Sequence, residues 1–197
     1  MTIIGLTGGS GGGKTTALRV LEDMGAHIID CDALYHKLLT ENRAMTAEIA
    51  ASFPDALVND TLDRKALGKI VFQDKTALEA LSAITHPYVC QAVDREIKAY
   101  QGTLVGLEAI ALIESGLGTR CTSIVGILAP EADRIQRIMA REGIDKAYAK
   151  ARIKSQKPDI FFREHCDHII ENNYPTAEAF ATACRAAFTQ IIARGEA

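Results

Sequence analysis

The sequence predicts an α/β fold: a five-stranded parallel sheet with helices on both faces, broken by one helical insertion and carrying a second helical segment near its C-terminal third. Three observations carry this expectation. Short apolar runs alternate with stretches of helical spacing, the pattern of strand–helix–strand units. A glycine cluster lies between the first apolar run and the first helical stretch, at Gly8-Gly9-Ser10-Gly11-Gly12-Gly13-Lys14-Thr15. Residues 35–100 hold successive helical patterns with no strand-like run among them.

The bounds are those of an ordinary globular chain. It has 197 residues, 48% hydrophobic and 24% charged, enough for one core with a small insertion. A net charge of -3 argues against a nucleic-acid or anionic-membrane surface. The five cysteines, at 31, 90, 121, 166 and 184, are scattered and show no C-x-x-C, which suits reduced thiols in a cytoplasmic protein. The N-terminus runs straight into the first strand, so no signal peptide is expected. No apolar run approaches the roughly 18–20 residues of a membrane span.

The first strand is Thr2-Ile3-Ile4-Gly5-Leu6-Thr7, and apolar residues at 17, 20, 21 and 24 mark the helix beyond the glycines. Strand, G-x-x-x-x-G-K-T and helix together make the P-loop pattern. Polyphosphate needs many donors close together and no side chain in the way. Gly8, Gly11, Gly12 and Gly13 let backbone N–H groups turn inward, and the following helix points its positive end at the phosphates. Lys14 would place a charge near the β- and γ-phosphates, Thr15 would offer its hydroxyl to Mg²⁺, and Thr16 opens the helix beside them.

Gly25 should end that helix. His27-Ile28-Ile29-Asp30-Cys31-Asp32 reads as the second strand, ending in two carboxylates. Ligands of open α/β sheets sit beyond the C-terminal ends of the strands. Asp30 and Asp32 there are either a proton acceptor and metal-side group or a pair of capping aspartates. In the insertion, Met45, Ile49 and Phe53, then Leu67, Ile70 and Val71, then Leu78, Leu81 and Ile84 form apolar faces. Pro87 is expected to open a further helix with Val89, Val93, Ile97 and Tyr100 inward. Phe53-Pro54-Asp55 and Asn59-Asp60-Thr61 are turn material. Arg64 suits a phosphate or simply a solvated helix face, and His86 a substrate contact or a turn.

The third strand is 104–109, with Glu108 near its end as a possible outer Mg²⁺ group, and the fourth is 122–129, stopped by Pro130. The helix from Glu131 to Arg141 places Arg134, Arg137 and Arg141 on one face, and Gly143 ends it. The next helix carries Lys150, Arg152, Lys154 and Lys157, with Gln156 one turn beyond Arg152. This basic pair is either a mobile lid that stabilises a moving phosphoryl group or a solvated helical pair diluted by acids. His168-Ile169-Ile170-Glu171-Asn172-Asn173 is the fifth strand. His165-Cys166-Asp167-His168 does not read as a metal site, because strand neighbours face opposite ways. Phe180, Cys184, Phe188 and Ile191 form a core stripe on the last helix.

Several of these pieces, in this order, resemble the dephospho-CoA kinase family. They are Leu6-Thr7-Gly8-Gly9, Ile28-Ile29-Asp30-Cys31-Asp32, Leu62-Asp63-Arg64-Lys65-Ala66-Leu67 and Ile84-Thr85-His86-Pro87. The series continues with Arg137-Ile138-Met139-Ala140-Arg141-Glu142-Gly143, Arg152-Ile153 with Gln156, and Asp167-His168-Ile169-Ile170-Glu171-Asn172. The resemblance implies a P-loop kinase core (1–34, 101–130 and 165–197), a helical acceptor-binding insertion (35–100) and a helical lid (131–164). It implies γ-phosphoryl transfer from ATP, with Mg²⁺, to the ribose 3′-hydroxyl of 3′-dephospho-CoA. Asp32 would be the base. Lys14, Arg137 and Arg141 would serve the phosphates, Thr15 would bind Mg²⁺, and Arg64, His86 and Glu108 would lie on the acceptor side. One segment departs from the family's "D-x-P-L-L-x-E": Glu108-Ala109-Ile110-Ala111-Leu112-Ile113-Glu114 lacks its proline. The alternatives are another small-molecule P-loop kinase, or a nucleotide-sensing P-loop protein without catalysis. Neither an N-K-x-D nor a D-x-x-G signature supports the latter. The sequence leaves monomer and homo-oligomer open.

Overall fold

The computed structural model describes residues 1–59 and 61–195; Asp60 of the expected turn, and Glu196 and Ala197, lie outside them. The chain divides into two compact units, residues 1–29 with 100–197, and residues 30–99.

The larger unit is built on a sheet of β1 (Thr2–Thr7), β2 (His27–Asp30), β5 (Leu104–Glu108), β6 (Ser123–Leu128) and β7 (His168–Glu171), ordered β2-β5-β1-β6-β7. The five strands form a parallel sheet. β1 lies at its centre, with Ile3 opposite Val105 and Gly5 opposite Ile124. A central parallel strand is buried on both faces, and residues 3–7 are all buried. Ile4 and Leu6, two apart and so on one face, join Val125 and Ile127 under α1 (Lys14–Asp23) and α9 (Ala177–Gly195). The expected stripe on α9 is that packing surface: Phe180, Cys184 and Phe188 are at most 1% exposed. Side chains extend the strand pairing at the start of β6, toward both of its neighbours. The Thr122 hydroxyl accepts from the Ile3 N–H and donates to the Ile3 carbonyl, each at 2.9 Å, and Asp167 Oδ2 accepts from the Ile124 N–H at 2.7 Å.

The same unit holds α6 (Glu131–Glu142), α7 (Lys146–Lys154) and α8 (Asp159–His165). Gly143, at φ 67°, closes α6 as expected, and Asp145 caps α7 by accepting from the Tyr148 N–H. Ile135, Ile138 and Ala149 form a small apolar seam between α6 and α7.

The smaller unit is helical: α2 (Cys31–Glu41), α3 (Arg43–Ser52), α4 (Arg64–Gln73) and α5 (Lys75–Ala99). Its core joins Met45, Ile49, Phe53, Leu67, Val71 and Leu81. Three expectations are corrected here. The insertion is not strand-free: β3 (Leu57–Val58) and β4 (Thr61–Leu62) form a minimal antiparallel pair, too short to show alternation. Pro87 does not start a helix; it lies inside α5. The buried stripe Leu81, Thr85, Val89 and Val93 runs past it every four residues, while Pro87 itself is exposed, so packing on one side outweighs the missing hydrogen bond on the other. Tyr100 is not on the helix either. It follows α5, and its ring stacks on His27 at 4.9 Å.

None of the five cysteines forms a disulfide. Burial pushes the Cys121 and Cys184 thiols up to about 12, so both stay protonated and unreactive at neutral pH. Among the described residues, no helix is long and apolar enough to cross a membrane.

Phe188 is fully buried between α9 and the sheet. Phe188→Ala should lower the unfolding free energy by about 3–5 kcal/mol, read by urea titration, because the surrounding packing relaxes only partly into the cavity left behind.

Candidate active site

β1 ends at Thr7 and α1 begins at Lys14, so residues 8–13 are a loop at the C-terminal end of the central strand. Gly13 precedes the helix at φ 114° and Gly11 lies at φ 77°, both in the region that favours glycine. No side chain caps α1. No side chain therefore covers the Thr15 N–H in its first turn.

The loop is held through its carbonyls. Lys14 Nζ donates to the Gly8 carbonyl at 2.9 Å. Arg134 Nε donates to the Ser10 carbonyl at 2.9 Å, Arg137 Nη1 to the Gly11 carbonyl at 3.1 Å, and Asn172 Nδ2 to the Gly12 carbonyl at 2.9 Å. Gln156 holds Ser10 twice: its Oε1 accepts from the Ser10 N–H at 2.9 Å and its Nε2 donates to the Ser10 hydroxyl at 2.7 Å. Among the described residues, the backbone N–H groups of Gly11, Gly13 and Thr15 donate to no acceptor. Three unpaired donors at a helix N-terminus make a concave site for an anion.

Lys14 Nζ also stands 3.6 Å from Glu108 Oε1, with both side chains only 11% exposed. Glu108 is the last residue of β5, so two neighbouring strands place this pair. Thr15 is exposed in the first turn of α1, and its hydroxyl makes no hydrogen bond among the described residues. The Thr16 N–H is taken by the Gly13 carbonyl at 3.0 Å. Where the family resemblance expects a proline, the Ile110 carbonyl is instead held by the Thr7 hydroxyl at 3.1 Å, and the Ala109 N–H donates to the Leu6 carbonyl at 3.2 Å.

The other expected site residues are placed as follows. β2 ends at Asp30, not at Asp32: the Asp30 carboxylate accepts from the Ala33 N–H at 3.0 Å and starts α2. Asp30 is thus a helix cap, and Asp32 lies exposed in the first turn of α2. In the smaller unit, Arg64 opens α4 behind the Asp63 cap, and its guanidinium meets the His36 ring at 2.7 Å. His86 lies half-buried on α5. Arg141, in the last turn of α6, pairs with Glu142 at 2.6 Å, and Arg152 takes the other oxygen of that carboxylate. The structure brings the glycines, Lys14, Thr15, Glu108 and Arg137 together within the larger unit. It adds Arg134, Gln156 and Asn172, which sequence reasoning noticed only as part of a helix face or of motifs. Arg134 is 6% exposed, and no periodicity distinguishes a buried arginine from its solvated neighbours.

The dephospho-CoA kinase family model matches residues 2–178. The chain belongs to the dephospho-CoA kinase family. A dephospho-CoA kinase of Moorella thermoacetica is 36% identical over 200 residues, covering 97% of this chain and 92% of its own. Among solved structures, one from Thermus thermophilus superposes with a TM-score of 0.81 at 32% identity, covering 96% of this chain and 97% of its own. The dephospho-CoA kinase from Campylobacter jejuni gives a TM-score of 0.66 at 28% identity, covering 99% and 98%. The stretch matched by the family includes the loop, all the residues that grip it, and Asp32, Arg64, His86 and Arg141.

In this dephospho-CoA kinase family member the hydrogen bond from Arg141, aided by Arg152, holds the Glu142 carboxyl below its usual value near 4.5. A depressed carboxylate contributes stability that is complete above the unfolded value and is lost as pH falls through the folded one. Amide protection at the α6–α7 turn should therefore be higher at pH 7 than at pH 3 in the natural chain. Glu142→Gln should have the lower protection at pH 7, with the difference from the natural chain narrowing at pH 3. Hydrogen exchange, corrected for intrinsic rates, measures this.

Proposed function

We propose that this chain transfers the γ-phosphoryl group of ATP to the ribose 3′-hydroxyl of 3′-dephospho-CoA, giving CoA and ADP, the final step of CoA biosynthesis. The observation that carries the reading is the set of unpaired N–H groups of Gly11, Gly13 and Thr15 beside Lys14, in a chain of this family. Phosphoryl transfer needs positioning and charge neutralisation more than covalent chemistry. The free N–H groups would take phosphate oxygens, and Lys14, steadied by the Gly8 carbonyl and Glu108, would add a fixed positive charge. Arg137 and Arg141 would neutralise the moving group.

Asp32 would accept the proton of the 3′-hydroxyl, and its exposure in the first turn of α2 leaves the carboxylate accessible. Arg64 and His86 would hold the acceptor. The Thr15 hydroxyl, which makes no hydrogen bond among the described residues, would hold Mg²⁺, and Glu108 would stand near the ion. No group of three acidic, histidine or cysteine side chains able to hold a metal occurs among the described residues, which suits an ion held mainly by phosphate oxygens. When bound, Mg²⁺ would offset charge on the β- and γ-phosphates. Residues 1–34, 101–130 and 165–197 would serve as core, 35–100 as acceptor unit and 131–164 as lid. Five cysteines without a disulfide suit a reducing compartment, the cytoplasm.

The test is ADP formation from ATP with 3′-dephospho-CoA, beside adenosine, AMP and shikimate. CoA should appear with the first acceptor alone. Asp32→Asn should keep ADP affinity and lower kcat by about 10²- to 10⁴-fold, the usual contribution of a general base. Turnover with none of these acceptors, or an unchanged rate in Asp32→Asn, would sink the respective claim.

A further inference from the structure

We propose that Arg134, Gln156 and Asn172 are positioning residues that aim two backbone N–H groups of the loop at the nucleotide's β-phosphate. The inference rests on the reading of this loop as a phosphate site. A trans peptide unit points its C=O and its N–H in opposite directions. Whatever grips the carbonyl of one residue therefore sets the direction of the next residue's N–H.

Two peptide units of the loop show this pairing. Arg134 holds the Ser10 carbonyl at 2.9 Å, and the N–H of the same unit, that of Gly11, is unpaired. Asn172 holds the Gly12 carbonyl at 2.9 Å, and the N–H of that unit, Gly13, is unpaired too. Gln156 supports the first grip. Its Oε1 accepts both from Arg134 Nη2, at 3.1 Å, and from the Ser10 N–H, at 2.9 Å. Asp159 stands 3.6 Å from Arg134 Nη1 on the other side.

The packing of the glycines is an independent sign that this outer side is built for the grip. A Cβ on Gly9 would overlap Arg134 Nη2, and one on Gly13 would come within 2.5 Å of Asn172 Nδ2. The absence of side chains at these two positions admits the gripping groups as well as the phosphate. Arg134 and Asn172 are 6% and 5% exposed, so neither is available as a ligand to bulk anions.

The experiment compares binding of ADP and AMP, which differ by the β-phosphate, to the full chain and to Gln156→Ala and Asn172→Ala, by calorimetry. The natural chain should bind ADP more tightly than AMP; failure of that preference would overturn the phosphate-site reading itself. Each variant should lose about tenfold in ADP affinity, or about 1.4 kcal/mol, while AMP affinity stays within about twofold. The Gly11 and Gly13 amide resonances, moved by ADP in the natural chain, should move less in the variants. A merely structural role would lower the thermal midpoint and weaken both nucleotides alike. That result, or an unchanged ADP-to-AMP ratio, overturns the proposal. Should Asn172→Ala fail to fold, Gln156→Ala decides alone, since Gln156 is only half-buried and outside the apolar core.

Discussion

The loop between β1 and α1 has its shape because its carbonyls are gripped. Glycine-rich backbone is the least ordered a chain can carry, and fixing it costs about 1–2 kcal/mol per residue in lost freedom. Here four carbonyls, those of Gly8, Ser10, Gly11 and Gly12, accept from Lys14, Arg134, Arg137 and Asn172. The order is supplied in advance by the protein, and an anion that arrives need not impose it. The rest of the larger unit serves that grip: β1 delivers the loop, α6 brings the two arginines, and β7 is followed at once by Asn172.

Charge is treated differently in the two places where it concentrates. Against the loop, Arg134 is buried and fully engaged, with Asp159 and Gln156 on its remaining nitrogens. At the far end of α6, Arg141 and Arg152 share the two oxygens of Glu142 near the surface. The first arrangement is fixed, because unpairing a buried guanidinium is costly. The second is exchangeable, because partly exposed ion pairs contribute little and water competes for them. The role proposed for Arg141 at the moving phosphoryl group asks for the second kind.

Much of this was legible in the sequence. The five strands, the glycine loop, the ends at Gly25 and Gly143 and the stripe on α9 followed from periodicity and local signals. The misreadings have physical reasons. Pro87 looked like a helix start because a lone chain would break there, but a buried stripe through Thr85 and Val89 carries the helix past it. Asp30 and Asp32 looked alike at the end of a strand; only the hydrogen bond to Ala33 separates the cap from its neighbour. Arg134, Gln156 and Asn172 could not be singled out, because their importance lies in which backbone groups of the loop they reach across more than a hundred residues of chain.

Thr7 is the last residue of β1, and its hydroxyl reaches sideways to the carbonyl of Ile110. The glycine loop continues from its backbone, and the segment after β5 hangs from its side chain. Two loops far apart in sequence thus share one hinge pin. The spacing of the two loops is set at that one residue, by the backbone on one side and by a single hydrogen bond on the other.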